Sequence, residues 1–198
     1  MNKQRCDWVT QDPEYIAYHD NEWGKPQRDK YKLFEMICLE GQQAGLSWYT
    51  VLKKRAGFRR CFFDFRPEKI ALMTEKDVET LLQDPSIIRH RGKINAIINN
   101  ARAFLAMEAL GEDFSEFIWQ FVDGKPIDNQ WQTISQVPAF TEISDDMAKA
   151  LKKKGFKFVG TTTCYAFMQA VGMVNDHILC CFCRNLSRKV VLNRRILV

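Results

Sequence analysis

The strongest structural signal in this sequence is the helical spacing of apolar side chains that begins at Tyr31. Phe34, Ile37, Cys38 and Gly41 follow at steps of three and four residues, which places them with Tyr31 on one face of a helix. Similar spacing recurs along the chain between proline, glycine and capping residues, and no strand-like alternation outranks it. The sequence therefore predicts an all-α fold.

Helix-start and helix-stop residues predict where these helices lie. Capping residues and proline mark the starts, and glycine marks most of the ends. In the first half of the chain, helices are predicted from about Lys30, from near Ser47 to Gly57, and from Pro67 through Met73, and a fourth opens with a capping box of Thr74 and Asp77. A long helix through Ile94 and Leu105 ends near Gly111, and a short one follows from Phe114 to Phe121. Of the last two, one is capped by Ser144 and ended by Gly155, and the other runs from about Thr161 to Gly172.

Length and composition place the chain among ordinary globular proteins. Its 198 residues can bury one good core, or two lobes that share an interface. The net charge of +5 is compatible with nucleic acid without being diagnostic of it. No apolar run reaches the roughly 20 residues of a membrane span, and the first residues lack the apolar core of a signal peptide. We expect a cytoplasmic monomer without membrane contact, whose seven cysteines are metal ligands, buried apolar groups or free thiols rather than disulfides.

A candidate binding site lies where the first strong helix ends. Glu40 is followed by two glutamines, then by Gly45 and Leu46, and then by Trp48. A carboxylate can accept hydrogen bonds from a flat, electron-poor ring while an indole stacks on the face of that ring. The alternative is an ordinary helix end, whose Leu46 and Trp48 pack into the core.

A second candidate site is the basic stretch IIRHRGK, which joins two predicted helices. Helix, tight glycine-containing turn and helix form a helix-hairpin-helix pattern, in which backbone N–H groups donate to a phosphate oxygen. Arg89, Arg91 and Lys93 would add positive charge around Gly92 without reading base sequence. The alternative is a plain αα-hairpin that only packs two helices together, and the pattern does not separate the two.

The two ends of the chain hold a candidate metal site. His177 and Cys181 are four residues apart, so on a helical turn both would point the same way. Cys6 and His19, near the other end, complete a Cys2His2 set of the kind that binds structural zinc. Four protein ligands leave no position for an activated water, so such a zinc ion would hold shape only. The alternative is a set of buried cysteines and a satisfied histidine, and two further cysteines near Cys181 offer competing thiols.

Several long, ordered motifs together resemble one family. They are CDWVTQDPEYIAYHDNEWG, LFEMICLEGQQAGLSW, IIRHRGKI, ALKKKGFKFVGTTTCYAFMQA and VNDHILCC. From Cys6 to about Cys183 the chain resembles the bacterial 3-methyladenine DNA glycosylase I family. The resemblance implies a helix-hairpin-helix glycosylase fold, a structural zinc site formed by the chain ends, and hydrolytic excision of 3-methyladenine from double-stranded alkylated DNA. The products would be an abasic site and the free base.

The resemblance also implies roles for particular residues. The implied base pocket consists of Glu40, Trp48, Tyr18, Trp8 and Trp23, with Tyr15 nearby. Gly45 and Leu46 resemble the turn that probes the duplex. Glu40 is expected chiefly to recognise the base, with a secondary role in stabilising an oxocarbenium-like transition state. Most of the superfamily is expected to carry a catalytic Asp after the hairpin. Asp113 lies at about that distance, although a helix-start role explains it better.

The domain organisation expected from these features is simple. Residues 1–185 would form a single catalytic domain, with a central helix-hairpin-helix lobe over about residues 30–140 and a zinc-stapled lobe made by the two terminal segments. The basic tail that begins at Arg184 and fills residues 186–198 lies outside the resemblance and is either an additional DNA-binding arm or a disordered extension. No lysine is placed as a Schiff-base nucleophile, which predicts a monofunctional enzyme. The alternative function is a non-catalytic, zinc-stapled DNA-binding module.

Overall fold

The structure is a computed structural model that describes residues 3–185, and it is mostly helical, as predicted. No helix in that range is long and apolar enough to cross a membrane. The helices are α1 (Pro13–Asn21), α2 (Lys30–Gln43), α3 (Trp48–Cys61), α4 (Pro67–Ile70), α5 (Glu75–Leu81), α6 (Arg91–Ala109), α7 (Phe114–Trp119), α8 (Glu142–Lys153) and α9 (Thr161–Ala170).

Local capping chemistry explains the helix starts that the sequence predicted correctly. Asp29 caps α2, because its side chain accepts hydrogen bonds from the backbone N–H groups of Tyr31 and Lys32 at 2.9 Å each. Thr74 and Asp77 form the predicted capping box at the start of α5. These signals involve neighbouring residues only, so they can be read without knowledge of the tertiary fold.

Some predicted helix boundaries are wrong by a few residues. Helix α8 is capped by Thr141, whose Oγ1 accepts a hydrogen bond from the Ser144 N–H at 3.3 Å, while Ser144 Oγ accepts one from the Thr141 N–H at 2.9 Å. Ser144 is therefore the second member of a capping box rather than the cap. The predicted pieces after Pro67 and Phe114 also end early, at Ile70 and Trp119.

Gly57 does not end α3 but lies inside it, where a close tertiary contact requires a glycine. Helix α3 continues to Cys61. A Cβ atom at position 57 would lie 2.3 Å from the backbone oxygen of Ser86 and 2.6 Å from its Oγ. The glycine is needed because the segment after α5 packs directly on the helix backbone.

We expect Gly57→Ala to destabilise the protein by about 2 kcal/mol or more, because the Ser86 carbonyl has to move. Helix propensity alone predicts the opposite sign, a gain of about 1 kcal/mol. Urea denaturation measures the free energy of unfolding and decides between them. Ala56, the exposed neighbour, is the matched control, since Ala56→Gly should cost only about 1 kcal/mol. A stabilised Gly57→Ala variant would contradict the close packing.

A pair of short parallel strands is the feature that the all-α prediction lacked. Strand β1 (Ile127–Asp128) pairs with β2 (Val174–Asn175). Strands of two residues are too short to show alternation in a sequence. The pairing holds the long connection between α7 and α8 against the segment that follows β2, where the candidate metal ligands lie.

Helix α2 lies at the centre of the fold and determines where the candidate site is. Leu33, Phe34 and Ile37 are completely buried, and the helix contacts α3, α6 and α9. The ring of Phe34 lies 5.3 Å from that of Phe104 in α6, measured between centroids. Because burying each such side chain contributes about 1.5–3 kcal/mol, α2 is held firmly from several sides. Its last turn, which carries Glu40, is therefore a rigid platform.

Arg184, the first residue of the predicted basic tail, is packed within the described part of the chain. Arg184 is 3% exposed, and its side chain donates to the carbonyl oxygen of His177 at 2.8 Å and to the carboxylate of Asp128 at 2.9 Å. Arg184 therefore belongs to the folded domain, where it braces the candidate metal segment against β1. The rest of the predicted tail, residues 186–198, lies outside the described residues.

Candidate functional site

Helix α1 places two tyrosines and one histidine on its buried side. Asp12 caps the helix, accepting hydrogen bonds from the N–H groups of Glu14 at 2.9 Å and Tyr15 at 3.2 Å. Tyr15, Tyr18 and His19 follow at helical spacing, and all three are buried. The tyrosines line a cavity and the histidine joins a cluster of possible metal ligands, so one short helix serves both sites.

The turn between α2 and α3 positions the predicted carboxylate and indole. Glu40 lies in the last turn of α2, and Trp48 is the first residue of α3, which Ser47 caps. Gly45, between them, has a φ of +74°, a conformation that favours glycine. The side chain of Leu46 follows and is 41% exposed. The turn therefore presents an apolar side chain to solvent next to a buried acid.

These elements enclose a cavity of about 160 Å³. Every residue that the sequence assigned to the base pocket lines it: Trp8, Tyr15, Tyr18, Trp23, Glu40 and Trp48. The remaining wall is formed by Gln43, Ile134, Val137, Ala166, Gln169 and Asp176. The alternative, an ordinary helix end with Trp48 packed into the core, is correct about burial of the indole. It is incomplete, because the indole also forms a wall of the cavity.

Glu40 gives the cavity its unusual electrostatics. The residue is 3% exposed, and its Oε2 has no hydrogen-bond partner among residues 3–185. Burial raises the pKa of Glu40 from 4.5 to about 8. The buried Nε1 of Trp48 also lacks an acceptor within the described chain. Each unsatisfied group costs about 1–3 kcal/mol, so this donor and this acceptor are groups that a ligand would satisfy.

The aromatic rings around the cavity hold one another in place. Trp8 and Trp23 lie 5.1 Å apart between centroids at an angle of 70°, and Tyr18 and Trp48 lie 5.3 Å apart at 41°. Trp8 also lies 5.1 Å from Tyr15. Tilted contacts of this kind are favourable aromatic geometries. The cage is therefore formed before any ligand enters, which lowers the entropic cost of binding a planar ring.

A second cavity, of about 240 Å³, connects this cage with the exposed turn. Glu40 and Ala166 line both cavities, so the carboxylate stands at their junction. Gly45 and Leu46 form one wall of the second cavity, and Thr162 and Thr163 at the start of α9 belong to the opposite element. A ligand that enters beside Leu46 therefore has a path to the acid.

Asp176 is a pocket residue that the sequence reasoning missed. It is 1% exposed and its carboxylate accepts four hydrogen bonds, two at each oxygen. The donors are Asn129 Nδ2 at 2.7 Å, Trp131 Nε1 at 2.8 Å, the Tyr165 hydroxyl at 2.7 Å and Gln169 Nε2 at 2.8 Å. Asp176 thereby joins α9 to the connection between α7 and α8. Its place directly before a candidate metal ligand was the available sequence signal.

The predicted hairpin differs in detail from a tight, glycine-containing turn. Helices α5 and α6 are joined by residues 82–90, and Gly92 lies in the first turn of α6 rather than in the connection. His90 caps α6, its Nδ1 accepting a hydrogen bond from the Lys93 N–H at 3.2 Å. Arg89 is exposed at the end of the connection. A helix N-terminus with a nearby arginine is still compatible with a phosphate contact.

The other two basic residues of the hairpin are not free positive charges. Arg91 forms ion pairs with Glu75 and Glu79 across the hairpin. Lys93 is 6% exposed, and its Nζ donates hydrogen bonds to two backbone carbonyl oxygens at the end of α2. A sequence reveals that a side chain is basic but not which way it points. Of the three predicted basic contacts, Lys93 therefore differs most from the exposed position that the sequence suggested.

Cys6, His19, His177 and Cys181 meet in the interior, as predicted. Their ligand atoms all lie within 4.8 Å of one another, and all four residues are buried. Cys181 Sγ lies 3.5 Å from His19 Nε2 and 3.4 Å from His177 Nδ1, and Cys6 Sγ lies 3.6 Å from the same Nδ1. Metal–sulfur bonds of about 2.3 Å and metal–nitrogen bonds of about 2.0–2.1 Å in a tetrahedron give similar spacings. The cluster can therefore hold a metal ion.

The second nitrogen of each imidazole fixes its orientation. His19 Nδ1 lies 2.8 Å from the carboxylate of Asp20, and His177 Nε2 lies 3.3 Å from the carbonyl oxygen of Trp23. Arg5 holds Asp20 in turn through two hydrogen bonds, at 2.9 and 2.7 Å. Outer partners of this kind set the tautomer and direction of metal-binding histidines. They leave the other nitrogen of each ring facing the thiols.

The helical spacing assumed for His177 and Cys181 is wrong, although the two side chains do meet. Both lie in irregular backbone after β2, where the Cys181 N–H donates to the carbonyl oxygen of Ile178 at 2.8 Å. None of the seven cysteines, all of which lie in the described residues, forms a disulfide. Of the competing ones, Cys180 is exposed, while Cys183 is buried with its Sγ 3.9 Å from His19 Nδ1. The turn, rather than helix periodicity, places the Cys181 thiol beside His19 and His177.

Asp113 has the helix-start role that the sequence favoured. Its carboxylate accepts a hydrogen bond from the Glu116 N–H at 3.0 Å and lies 3.9 Å from Lys30 Nζ. It lines neither of the two cavities that Glu40 shares. Among the described residues, Glu40 is therefore the only acid that lines both cavities.

The fold and the site together define a class: a helical protein with a preformed aromatic cage and a buried acid, suited to a flat cationic ring. The chain belongs to the methyladenine glycosylase family, whose model matches residues 8–184. The resemblance inferred from the motifs is thus confirmed.

Named relatives cover nearly the whole chain. The DNA-3-methyladenine glycosylase 1 of Escherichia coli is 64% identical over 180 residues, which are 91% of this chain and 96% of the relative. The DNA-3-methyladenine glycosylase of Haemophilus influenzae is 57% identical over 180 residues, 91% of this chain and 97% of the relative. A crystal structure of 3-methyladenine DNA glycosylase I superimposes with a TM-score of 0.90 at 68% identity, covering 91% of this chain and 99% of that one.

A more distant solved structure concerns base recognition directly. The 3-methyladenine DNA glycosylase I of Staphylococcus aureus, in a study of the structural basis of 3-methyladenine recognition, matches with a TM-score of 0.88 at 40% identity. The match covers 91% of this chain and 96% of that one. The helical framework is therefore kept at much lower identity.

Proposed function

We propose that this protein is a DNA glycosylase that hydrolyses the bond between 3-methyladenine and deoxyribose in double-stranded DNA. The observation that carries the proposal is the unpartnered carboxylate of Glu40 at the wall of an aromatic cage. The relatives named for the same activity support it. The products are free 3-methyladenine and an abasic site.

The charge of the damaged base explains how the site distinguishes it from adenine. Methylation at N3 of a glycosidically bonded adenine makes the ring a cation. Burial disfavours the ionised form of Glu40, and an incoming cation restores the carboxylate, so the attraction exceeds the cost of losing the proton only for a charged base. Stacking against the cage contributes about 1–3 kcal/mol, and cation–π attraction adds up to about 2 kcal/mol. Neutral adenine gains only the stacking.

The same charge makes the chemical step simple. The bond between C1′ and the base nitrogen breaks, and the base leaves with the electron pair, which neutralises its charge. Water adds its oxygen to C1′ and loses a proton to solvent. No proton has to be delivered to the leaving group, so Glu40 serves recognition first. A nearby carboxylate also favours the positive charge that develops on the sugar.

The exposed turn and the hairpin would hold the DNA while the base is extruded into the cage. Extruding a base costs a few kcal/mol, less when the base is damaged. Leu46 would fill the gap left in the stack, with Gly45 allowing the close backbone approach. The N–H groups of Arg91 and Gly92 at the start of α6 have no partner within the helix and would bind a phosphate beside Arg89, while His90 caps the N–H of Lys93. With these contacts, α5, α6 and the connection between them would act as a helix-hairpin-helix motif.

A structural zinc ion is the metal that fits the proposed role of the four-residue cluster. Cys6, His19, His177 and Cys181 would supply two thiolates and two imidazole nitrogens, the donor set that zinc prefers. With four protein ligands, such an ion holds the ends of the domain together and activates no water. The cluster then fixes α1 through His19 in its last turn, and with it the two tyrosines of the cage.

Base release from alkylated duplex DNA tests the proposal. The full chain is incubated with duplex treated with a methylating agent, and the released bases are separated by chromatography. We expect 3-methyladenine to be released, and no strand cleavage or borohydride-trapped adduct, since no lysine lines the cage. Tight binding to undamaged duplex without any released base would instead identify a non-catalytic DNA-binding module. A trapped adduct would refute the monofunctional mechanism alone.

A further inference from the structure

We propose that Lys93 is a positioning residue that holds the Leu46 turn in place for insertion into the duplex, rather than a phosphate contact. The inference rests on the proposed function, because it assigns Lys93 a part in base extrusion. It reverses the role expected of a lysine in a basic hairpin. Three observations carry it: the direction of the ammonium, the state of the turn it holds, and the place of Lys93 in α6.

The ammonium of Lys93 points into the protein and is satisfied there. Its Nζ donates to the carbonyl oxygens of Gln42 and Ala44 at 2.7 Å each. The side-chain amide of Gln42 donates back to the carbonyl oxygen of Lys93 at 3.2 Å. No carboxylate in residues 3–185 forms an ion pair with this lysine. Burial lowers the pKa of Lys93, because desolvation disfavours the charged ammonium.

The two acceptors are groups that α2 itself leaves unsatisfied. The last carbonyl oxygens of a helix have no helical partner, and a positive charge at this end is favourable. Ala44 is the residue that ends α2, and its ψ of 116° turns the chain away from the helix. Lys93 therefore fixes the point at which the backbone leaves α2. Gly45 and Leu46 are the next residues.

The turn beyond that point has few other supports. A Cβ at Gly45 would meet no atom within 4 Å, and Leu46 is 41% exposed. The Leu46 N–H donates to the carbonyl oxygen of Gln43 at 2.6 Å. A side chain that must enter a base stack needs a fixed direction, because a misplacement of about 1 Å can cost about 100-fold in rate. The two bonds from Lys93 provide that direction.

Lys93 also links the turn to the proposed phosphate anchor. It lies in the first turn of α6, directly after Gly92, where the N–H groups of Arg91 and Gly92 would bind DNA while His90 caps that of Lys93. A strut from that helix start to the end of α2 keeps the phosphate contact and Leu46 at a constant separation. Docking of the hairpin on the backbone thus sets the register of the inserted side chain.

The test compares Lys93→Met with Arg89→Met, a matched variant that removes an exposed charge from the same hairpin. Binding to undamaged duplex is measured as a function of salt concentration. Loss of a phosphate contact lowers the slope of log K against log salt by about 1. We expect this drop for Arg89→Met and an unchanged slope for Lys93→Met. A drop of about 1 for Lys93→Met would overturn the proposal.

Two further measurements locate the defect in the turn. Amide hydrogen exchange at Leu46 should be about tenfold faster in Lys93→Met, a readout that does not depend on glycosylase activity. Excision from duplex should fall about 10- to 100-fold, while affinity for free 3-methyladenine stays within about twofold. An unchanged exchange rate would overturn the positioning role even if the enzyme assignment stands. If wild type released no base, the salt and exchange results would still decide the role of Lys93.

A double-mutant cycle tests whether Lys93 acts through Leu46. Leu46→Ala combined with Lys93→Met should excise no more slowly than Leu46→Ala alone, because the strut has nothing left to position. Multiplied losses would contradict the proposal. If Lys93→Met fails to fold, Lys93→Gln, which keeps a donor, takes its place with the same comparisons and a smaller expected loss.

Discussion

Glu40→Gln is expected to reduce excision of 3-methyladenine about 10- to 200-fold while making the protein more stable. The activity falls because the amide cannot offer the negative charge that the cationic base needs, and a hydrogen bond to a charged group contributes about 1.5–3 kcal/mol. The stability rises because the wild-type carboxylate is buried without a partner at Oε2. Single-turnover excision and urea denaturation measure the two effects separately.

The sign of the stability change follows from the pKa of Glu40. Its folded value of about 8 lies above its ordinary value of 4.5. The folded state therefore binds the proton more tightly than the unfolded state, so the wild type loses stability as the pH rises from 4.5 towards 8. Gln cannot ionise and escapes that loss. We expect a gain of about 3 kcal/mol at pH 7, fading towards pH 4.5.

The same pKa predicts the pH dependence of the enzyme. Below pH 8 most free enzyme carries protonated Glu40, so kcat/KM should rise with pH and level off above about 8. Glu35→Gln is the matched control, since Glu35 is another buried acid of α2 that is paired with Lys32 and Arg59 outside the cage. That variant should lose stability and keep its excision rate. A stabilised Glu35→Gln, or an active Glu40→Gln, would contradict the assignment.

Removing the proposed metal should have the second-largest effect. Cys181→Ser is expected to abolish stoichiometric metal binding and lower the free energy of unfolding by about 4–5 kcal/mol, the value of a cross-link that closes most of the chain in the loop-entropy model. In a domain of this size that corresponds to a fall in Tm of about 10–20 °C. Elemental analysis and calorimetry measure the two quantities. Excision should fall as well, since α1 carries two tyrosines of the cage.

Cys180→Ser is the control for this prediction. Cys180 is the neighbouring residue but is exposed and stands outside the ligand cluster. We expect it to keep the metal and the Tm of the wild type. Equal behaviour of the two variants, or purified protein free of bound metal and as stable as before, would contradict the proposed clip.

The sequence could name residues that line the cavity because its signals are residue types. A single acid precedes a glycine turn and an indole, and aromatic residues are plentiful near the N-terminus. These residue types indicate a flat, electron-poor ligand whatever their positions in the fold. Cys6, His19, His177 and Cys181 were found for the same reason, since few residue types bind metal. The helical spacing used to pair the last two was wrong, although all four residues meet in the structure.

The sequence failed where function depends on direction or on close approach. Lys93 looked like a surface charge, and only the fold reveals that its ammonium faces the end of α2. Gly57 was predicted to end a helix because glycine often does so. Its real role is a tertiary contact with Ser86, which a sequence does not reveal. Asp176 gave little signal, since the four donors that make it important come from distant positions.

A crystal structure with free 3-methyladenine bound tests the central claim most directly. The purine should occupy the cage, in stacking contact with Trp48 and within hydrogen-bonding distance of Glu40 Oε2, and the unsatisfied Trp48 Nε1 should gain an acceptor. Cage residues should move little, because their rings already support one another. A purine bound only elsewhere, for example in the charged cavity between Glu22 and Arg59, would contradict the account.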